Sequence, residues 1–396
     1  MPHNILFVNT PTYIGGAEIS LLILAEELQR RGHSCWLLTT GEGPLTRRAE
    51  ELGIPVWIQP FPWLSRRKPG VYVRAILQIA LLLRRFRIDI VHTNCDRSLP
   101  IMRWACRIAG RPYVSHVRDF VRGWFQPSGI AGLKDAQRVL ANSNAVADVT
   151  REAGLASERI ITVYSPIDVA SLEPTAIQPR NHGREHLNLS PEHLVIGIVG
   201  QIQSIKGHRE FVTACLAIAA ILKDACFLIV GDPPPDSLST EFSLEIQGLI
   251  ASSPYGDRFF NLGFQGRIGP VLRSVDILAV PSWKEPFGRV AVEGLAAGCA
   301  VIASDSGGLP EIVVHDVNGL LIPPGDALAL SHAFLRLATD PALRQRLARA
   351  GLESARQFTI ARHVDVCEDV YRTVVNEQLP KQHLAIATAF IPGRHK

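Results

Sequence analysis

Asp276-Ile277-Leu278-Ala279-Val280-Pro281-Ser282-Trp283-Lys284-Glu285-Pro286-Phe287-Gly288-Arg289-Val290-Ala291-Val292-Glu293-Gly294 is the stretch on which the fold turns. Its opening apolar run, 277–280, has the length and composition of a strand covered on both faces. Pro281-Ser282 and Pro286 then keep the chain irregular. A helix is predicted from about Gly288 to Ala297, and a second apolar run, 301–303, follows it. Strand, helix and strand in so short a span form a crossover unit, which needs a parallel sheet with helices on its faces.

The same alternation continues on both sides. Upstream, strands are predicted at 194–199, 226–230 and 259–262, with a helix at 209–222. Downstream come a strand at 319–322 and helical patterns at 327–350 and 361–375. Nearer the start, a strand at 4–8 leads through Gly15-Gly16 into a helix at 17–31 that stops at Gly32. Further strands are predicted at 35–39, 88–92, 113–116 and 138–141. Between the two series, Pro166, Pro174, Pro179, Asn181, His182 and Gly183 break every period. The expected organisation is therefore an N-terminal α/β domain at 1–168, a linker at 169–190 and a second doubly wound domain at 191–360. A helix at 361–380 and a tail at 381–396 complete it.

Composition agrees. The chain has 396 residues, 47% of them apolar and 20% charged, which excludes disorder, collagen and coiled coil as the main architecture. A net charge of +4 is too mild for a nucleic-acid partner. It is unevenly spread: residues 1–176 hold 21 Lys+Arg against 15 Asp+Glu, and the rest 20 against 22. The 7 cysteines form no Cys-x-x-Cys pair, so neither a structural zinc nor a disulfide framework is expected, and a reducing compartment fits. No signal peptide precedes the first strand, and the longest apolar helical stretch, 75–83, is too short to span a bilayer. A cytoplasmic protein is expected, at most peripheral on the inner face of the membrane.

The chemistry is expected where the 288–297 helix begins. A helix N-terminus offers free N–H groups and a positive dipole end, which suit a phosphate. Glu285 precedes that helix and Glu293 lies a little over one turn inside it, so the two carboxylates can hold hydroxyls at two points along one ligand. Either glutamate alone would more often be a helix cap or a surface residue.

The full string narrows this. Glu285-Pro286-Phe287-Gly288 with Glu293 eight positions on resembles the E-x7-E motif of glycosyltransferase family 4. The following 296–305, Gly307-Gly308-Leu309-Pro310-Glu311-Ile312-Val313 and Asn318-Gly319-Leu320-Leu321-Ile322-Pro323 are similar to the family's continuation. Gly15-Gly16-Ala17-Glu18 resembles its N-terminal glycine loop. Asp89-Ile90-Val91-His92, His116-Val117-Arg118-Asp119 and Ala141-Asn142-Ser143 resemble its strand ends. The loop 199–207 matches the place where the family sets an Arg and a Lys on the donor diphosphate. Lys206 is present, and Gln201 stands where Arg is usual, keeping a hydrogen-bond donor without the fixed charge.

The resemblance covers roughly residues 4–375. It implies the GT-B fold, two Rossmann-like doubly wound parallel-sheet domains facing across a cleft, with the last helix crossing back onto the first domain. It implies a retaining glycosyltransferase that takes a sugar from a UDP- or GDP-type nucleotide sugar to a hydroxyl acceptor. By that resemblance Lys206 meets the departing diphosphate, and Glu285 the sugar hydroxyls, with the Phe287 and Gly288 amides nearby. The amides near Arg289–Val290 help to neutralise the diphosphate, Glu293 holds the ribose and His116 sits near the reaction centre. Gly15 and Gly16 approach the diphosphate, and Gln201 lies in the donor loop. The chain contains no Asp-x-Asp, the carboxylate pair through which metal-dependent transferases grip a diphosphate. No cofactor and no metal are therefore expected. The acceptor would be a carbohydrate or lipid-linked molecule of cell-envelope polysaccharide or glycolipid assembly. Residues 63–87, with seven basic residues and no acid between Arg66 and Arg87, form a basic amphipathic stretch suited to anionic membrane. A sugar-nucleotide 2-epimerase and a catalytically silent sugar-nucleotide-binding subunit remain open as alternatives.

Overall fold

The computed structural model describes residues 2–62, 69–120, 125–175, 184 and 189–378. The chain forms two compact units. The first comprises the chain up to Ala141, then Val149–Val163 and the chain from His363; the second comprises Asn142–Asp148 and Tyr164–Arg362.

The first unit is built on seven parallel strands: β1 (Asn4–Val8), β2 (Ser34–Thr39), β3 (Val56–Ile58), β4 (Ile90–Thr93), β5 (Tyr113–Val117), β6 (Arg138–Ala141) and β7 (Ile160–Thr162). They lie in the order β3-β2-β1-β4-β5-β6-β7. Helices α1 (Gly16–Arg30), α2 (Pro44–Glu51), α3 (Pro69–Arg85), α4 (Leu99–Ala109) and α5 (Pro127–Asp135) alternate with the strands, and α6 (Asn144–Glu152) follows β6. The central strands are buried along almost their whole length, as apolar runs in a sheet covered on both faces must be. The chain winds outward from β1 to β3 and then restarts on the other side of β1 at β4. The β1–β4 boundary is thus the topological switch point, where the strands' C-terminal ends leave a crevice. The chain's last helix, Ile360–Gln378, packs in this unit. Its fully buried Tyr371 hydroxyl meets His92 Nδ1 at 2.5 Å, and Arg31 bonds Asp365 at 2.6 Å and Glu368 at 3.0 Å.

The second unit has six parallel strands: β8 (Leu194–Val199), β9 (Ala225–Val230), β10 (Phe259–Asn261), β11 (Ile277–Val280), β12 (Ala300–Ser304) and β13 (Gly319–Ile322). Their order is β10-β9-β8-β11-β12-β13, so its switch point lies between β8 and β11. Helices α7 (Val169–Leu172), α8 (His208–Ala219), α9 (Ser237–Ala251), α10 (Ile268–Ser274), α11 (Arg289–Ala296), α12 (Ala327–Thr339) and α13 (Pro341–Ala355) precede the last helix, α14. Successive strand residues enter opposite cores. Val195, Leu278 and Val301 join one cluster, whereas Ile196, Ile277 and Ile302 join the other.

The structure corrects the sequence in three places. The single helix expected at 327–350 is two, because Pro341 has no N–H to continue a helix and Asp340 caps a new one, accepting from the Leu343 N–H at 2.9 Å. The three-residue strands β3 and β7 were not expected. The stretch read as linker contains α7 and also Arg184, which is buried. Its guanidinium pairs with Asp276 at 2.6 Å and donates to the carbonyls of Pro191, His193 and Ser274. All seven cysteines lie among the described residues as buried free thiols. Among the described residues no helix is long and apolar enough to cross a membrane. Residues 63–68 of the basic stretch and the tail after Gln378 lie outside the described residues.

Candidate active site

In the second unit, the residues expected to bind the donor converge on the switch point. The loop after β8 carries Gln201, which is exposed, and ends in the turn Ser204–Lys206. Gly207 follows with φ +77°, and a Cβ there would sit 2.1 Å from the Pro281 carbonyl oxygen. Only glycine allows this turn to press so closely on the loop leaving β11. The two loops are also joined by the Trp283 N–H, which donates to the Ile205 carbonyl at 2.9 Å. This approach brings Lys206 Nζ to 2.7 Å from Glu285 Oε2, and Ser282 Oγ donates to the same oxygen at 3.1 Å. The Lys206 and Glu285 side chains are 30% and 14% exposed, so both are shielded yet open to a ligand.

Beyond Glu285 the backbone turns into α11. Arg289 bridges the Pro166 carbonyl at 2.7 Å and Glu293 Oε1 at 3.2 Å, so Glu293 is held within an ion pair. Phe287 is buried, stacks with Tyr164 and meets Phe358 edge-on, and Val290 packs against the same core. Their side chains are structural, which leaves backbone amides for a ligand. The N-terminus of α11 is opened by Gly288, three residues after Glu285, and a helix N-terminus suits an anion.

Two residues that the sequence reading did not single out fix this loop. Ser143 caps α6, accepting from the Val146 N–H at 3.1 Å, and its hydroxyl donates to the Pro286 carbonyl. Glu311 accepts from the N–H groups of Asn144 at 2.8 Å and Ala145 at 2.9 Å, a carboxylate at a helix N-terminus. Burial and the neighbouring Glu311 push the Tyr164 phenol up to about 12. A serine followed three residues later by an apolar helix position was a legible cap signal. Glu311's partner, far away in sequence, was not legible.

In the first unit, Gly15 and Gly16 open α1 at the β1–β4 switch point. The buried Glu18 accepts from the Gly15 N–H at 3.0 Å and from Asn9 Nδ2 at 3.2 Å. Asn94 Nδ2 donates to Asn9 Oδ1 at 3.0 Å, and Arg118 Nε donates to Asn94 Oδ1 at 2.7 Å. A buried carboxylate and a buried guanidinium are thus linked across three strand ends through two asparagines. Sequence reasoning chose His116 here and passed over Arg118. The structure encloses His116 completely, at 0% exposure, between His92 and His363, with ring centroids at 5.4 and 6.0 Å. As the fourth residue of a strand covered on both faces it points into the core, whereas Arg118 lies just past the strand's end.

These histidines have a measurable consequence. Burial, and then the charge of Arg118, lower the pKa values of His92 and His116 well below 6.5, so the folded protein holds both neutral. In the second unit, burial above all lowers that of His208 to about 4. Unfolding exposes all three to water, where they take up protons below about pH 6.5. Their neutral burial therefore supports the fold fully above that pH, and the support is lost as pH falls towards the folded values. The thermal midpoint is expected to drop from about pH 7 to about pH 5, and less steeply in His116→Gln. A midpoint that held or rose on acidification would sink this reading.

Comparison with known proteins fits this geometry. The family model of glycosyl transferases group 1 matches residues 180–354, and that of glycosyltransferase family 4 matches residues 14–171. The D-inositol 3-phosphate glycosyltransferase of Saccharomonospora viridis is 30% identical over 389 residues, spanning 90% of this chain and 89% of that one. The 2-deoxystreptamine glucosyltransferase of Streptomyces kanamyceticus is 28% identical over 376 residues, 85% of this chain and 93% of that one. Among solved structures, Anabaena HepE in complex with UDP-glucose aligns with a TM-score of 0.81 at 22% identity, covering 94% of this chain and 100% of that one. A glycosyltransferase from Rickettsia africae gives 0.82 at 21% identity, covering 94% and 99%. Two parallel-sheet α/β units of this kind define the GT-B class. The chain belongs to glycosyltransferase family 4, and it is a glycosyltransferase.

Proposed function

We propose that the enzyme moves a sugar from a nucleotide-diphosphate sugar to a hydroxyl acceptor, with retention of configuration and without a metal ion. The observation that carries this is the Lys206–Glu285 pair, 2.7 Å apart beside the α11 N-terminus at the second unit's switch point. A cation and a row of backbone amides neutralise a diphosphate; a carboxylate next to them accepts hydrogen bonds from sugar hydroxyls. Glu293, just over one turn into α11, is assigned to the ribose hydroxyls, and Gln201 adds an uncharged donor. Gly15 and Gly16 open α1 of the first unit, and its N-terminus suits an anion.

In the reaction the bond from the anomeric carbon to the diphosphate oxygen breaks, and its electron pair leaves with the diphosphate. The acceptor oxygen bonds to the anomeric carbon on the same face, and its proton passes to a departing diphosphate oxygen. Lys206 stabilises the charge that develops on the leaving group, and Glu285 orients the sugar. His116, sealed in the core, supports the strand end and contacts no substrate in this scheme.

The acceptor fits a carbohydrate or lipid-linked hydroxyl of cell-envelope polysaccharide or glycolipid assembly, reached from the cytoplasmic side. Relatives named for D-inositol 3-phosphate and 2-deoxystreptamine, both small hydroxylated carbocycles, favour a second reading in which the acceptor is a free small ring.

The test is release of nucleoside diphosphate from a panel of UDP- and GDP-sugars by the purified enzyme, with and without acceptor extracts and with EDTA. Release that requires acceptor and survives EDTA is expected. An epimerised donor formed without acceptor would establish the 2-epimerase, and donor binding without turnover the silent subunit. Loss of activity in EDTA with recovery in Mg²⁺ would contradict metal independence.

A further inference from the structure

We propose that a hollow on the second unit, walled by the two loops that carry Lys206 and Glu285 together with α8 and α9, binds a neutral pyranose ring. It is a site apart from the donor's, because neither Lys206 nor Glu285 lines it. The hollow measures about 270 Å³, and Ser204, Ile205, Arg209, Glu210, Phe242 and Trp283 line it. Ser204 and Ile205 belong to the turn after β8, Trp283 to the loop after β11, Arg209 and Glu210 to the first turn of α8, and Phe242 to α9. The volume lies just below the range for drug-sized ligands, so the hollow takes one small ring.

Trp283 is its main wall. The residue is 51% exposed, yet the indole is held at both ends. Its N–H donates to Glu210 Oε1 at 3.1 Å, and its six-membered ring lies so near Gly325 that a Cβ there would sit 2.6 Å from it. An indole fixed in advance loses little freedom when a ligand covers it. Ile205 is also exposed, at 47%, and the Arg209 guanidinium lies 5.4 Å from the Phe242 ring.

The polar groups decide the ligand. Glu210 Oε1 is used by the indole, but its Oε2 is buried and, among the described residues, accepts no hydrogen bond. A buried carboxylate oxygen rarely goes without a donor, and an occupant of the hollow can supply one. Arg209 gives two N–H groups to Glu245, both at 2.7 Å, out of the five that a guanidinium carries. A free cation in the hollow would face Arg209, and a free anion would face Glu210. Neutral hydroxyls suit both, since they donate to the carboxylate and accept from the guanidinium or from Ser204. A pyranose carries such hydroxyls around its rim and offers an indole a face of C–H groups.

The test is saturation-transfer NMR of the full-length protein with the methyl glycosides of glucose, galactose, mannose and N-acetylglucosamine. At least one glycoside should receive signal, most strongly at the C–H protons of one ring face. Trp283→Ala and Glu210→Gln should each weaken its binding about tenfold or more, with the thermal midpoint as the control for folding. Glu285→Ala should bind it as the parent does, so this site and the donor site can fail separately. Maltotriose and chitotriose distinguish the sources: tighter binding than the monosaccharide marks a glycan chain, and equal binding a single sugar. A second measurement leaves the hollow intact. In parent protein labelled with 5-fluorotryptophan, the resonance that is absent from Trp283→Phe should shift saturably with the glycoside. Four results would overturn the proposal. One is no transfer to any glycoside and no shift of that resonance. Another is undiminished binding by both Trp283→Ala and Glu210→Gln. A third is binding lost in Glu285→Ala but kept in Trp283→Ala, which would place the sugar in the donor site. The last is a Trp283 resonance that moves with choline and with no glycoside, which would make the hollow a cation site.

Discussion

Replacing Lys206 with alanine is expected to lower turnover by about two orders of magnitude or more, the effect of removing one charge contact worth about 3 kcal/mol at the transition state. The expectation follows from where the ammonium lies. It is carried by a turn packed closely on Pro281 and tied to the next loop by the Trp283 backbone N–H, it is partly shielded from water, and its partner Glu285 precedes the α11 N-terminus. A charge fixed before the reaction acts on the leaving group without reorganisation. Because Lys206 is part-exposed and Glu285 keeps its hydrogen bond from Ser282, folding should survive the change. The loss should fall on kcat at least as heavily as on KM, since the charge on the diphosphate grows as the sugar leaves. Glu285→Ala should also be severe, and the double variant should cost clearly less than the sum, because the two groups share one ion pair. Activity near the parent's in Lys206→Ala would remove the lysine from the mechanism.

The second large effect is expected from a residue without a side chain. Gly307 has φ +59°, and a Cβ there would lie 2.1 Å from the Glu285 carbonyl oxygen and 2.9 Å from its carbon. The next residue anchors the same carbonyl, through the Gly308 N–H at 2.8 Å. Gly307→Ala therefore forces either the Glu285 loop or the 307–308 turn to move, and both the strained backbone and the overlap cost stability, about 1–3 kcal/mol for the overlap alone. A displacement of about 1 Å at a positioning loop is enough for a loss near 10²-fold in turnover. Gly32→Ala separates the two contributions. That glycine also has positive φ, at +90°, but a Cβ would meet nothing within 4 Å. It should cost stability modestly and leave turnover unchanged. Parent-like turnover in Gly307→Ala, measured well below its thermal midpoint, would show that the Glu285 loop is not held as described.

How much of this was legible depended on the range of the interaction. Apolar runs such as Leu194–Val199 and Ile277–Val280 announced themselves because a strand buried on both faces admits little else. The β3 and β7 strands did not, since three residues carry no period and owe their state to a neighbouring edge. Asp340-Pro341 was a readable break that the apolar pattern on both sides concealed. In the site, Lys206, Glu285 and Glu293 were legible because they stand in a local string. The supports were not. Arg184 finds Asp276, Glu311 finds the α6 N-terminus and Arg118 finds Asn94 only through the fold. His116 was legible as a strand-end histidine, whereas its complete burial between His92 and His363 comes only from the fold.

The most direct measurement is a thermal-shift titration of parent and Lys206→Ala with UDP, GDP and their sugar conjugates, since a ligand that binds only the folded state must raise its midpoint. The expected result is a concentration-dependent rise for one nucleotide series in the parent that is lost or greatly reduced in the variant. No rise with any nucleotide diphosphate, or an equal rise in Lys206→Ala, would contradict a donor site built on Lys206 and Glu285.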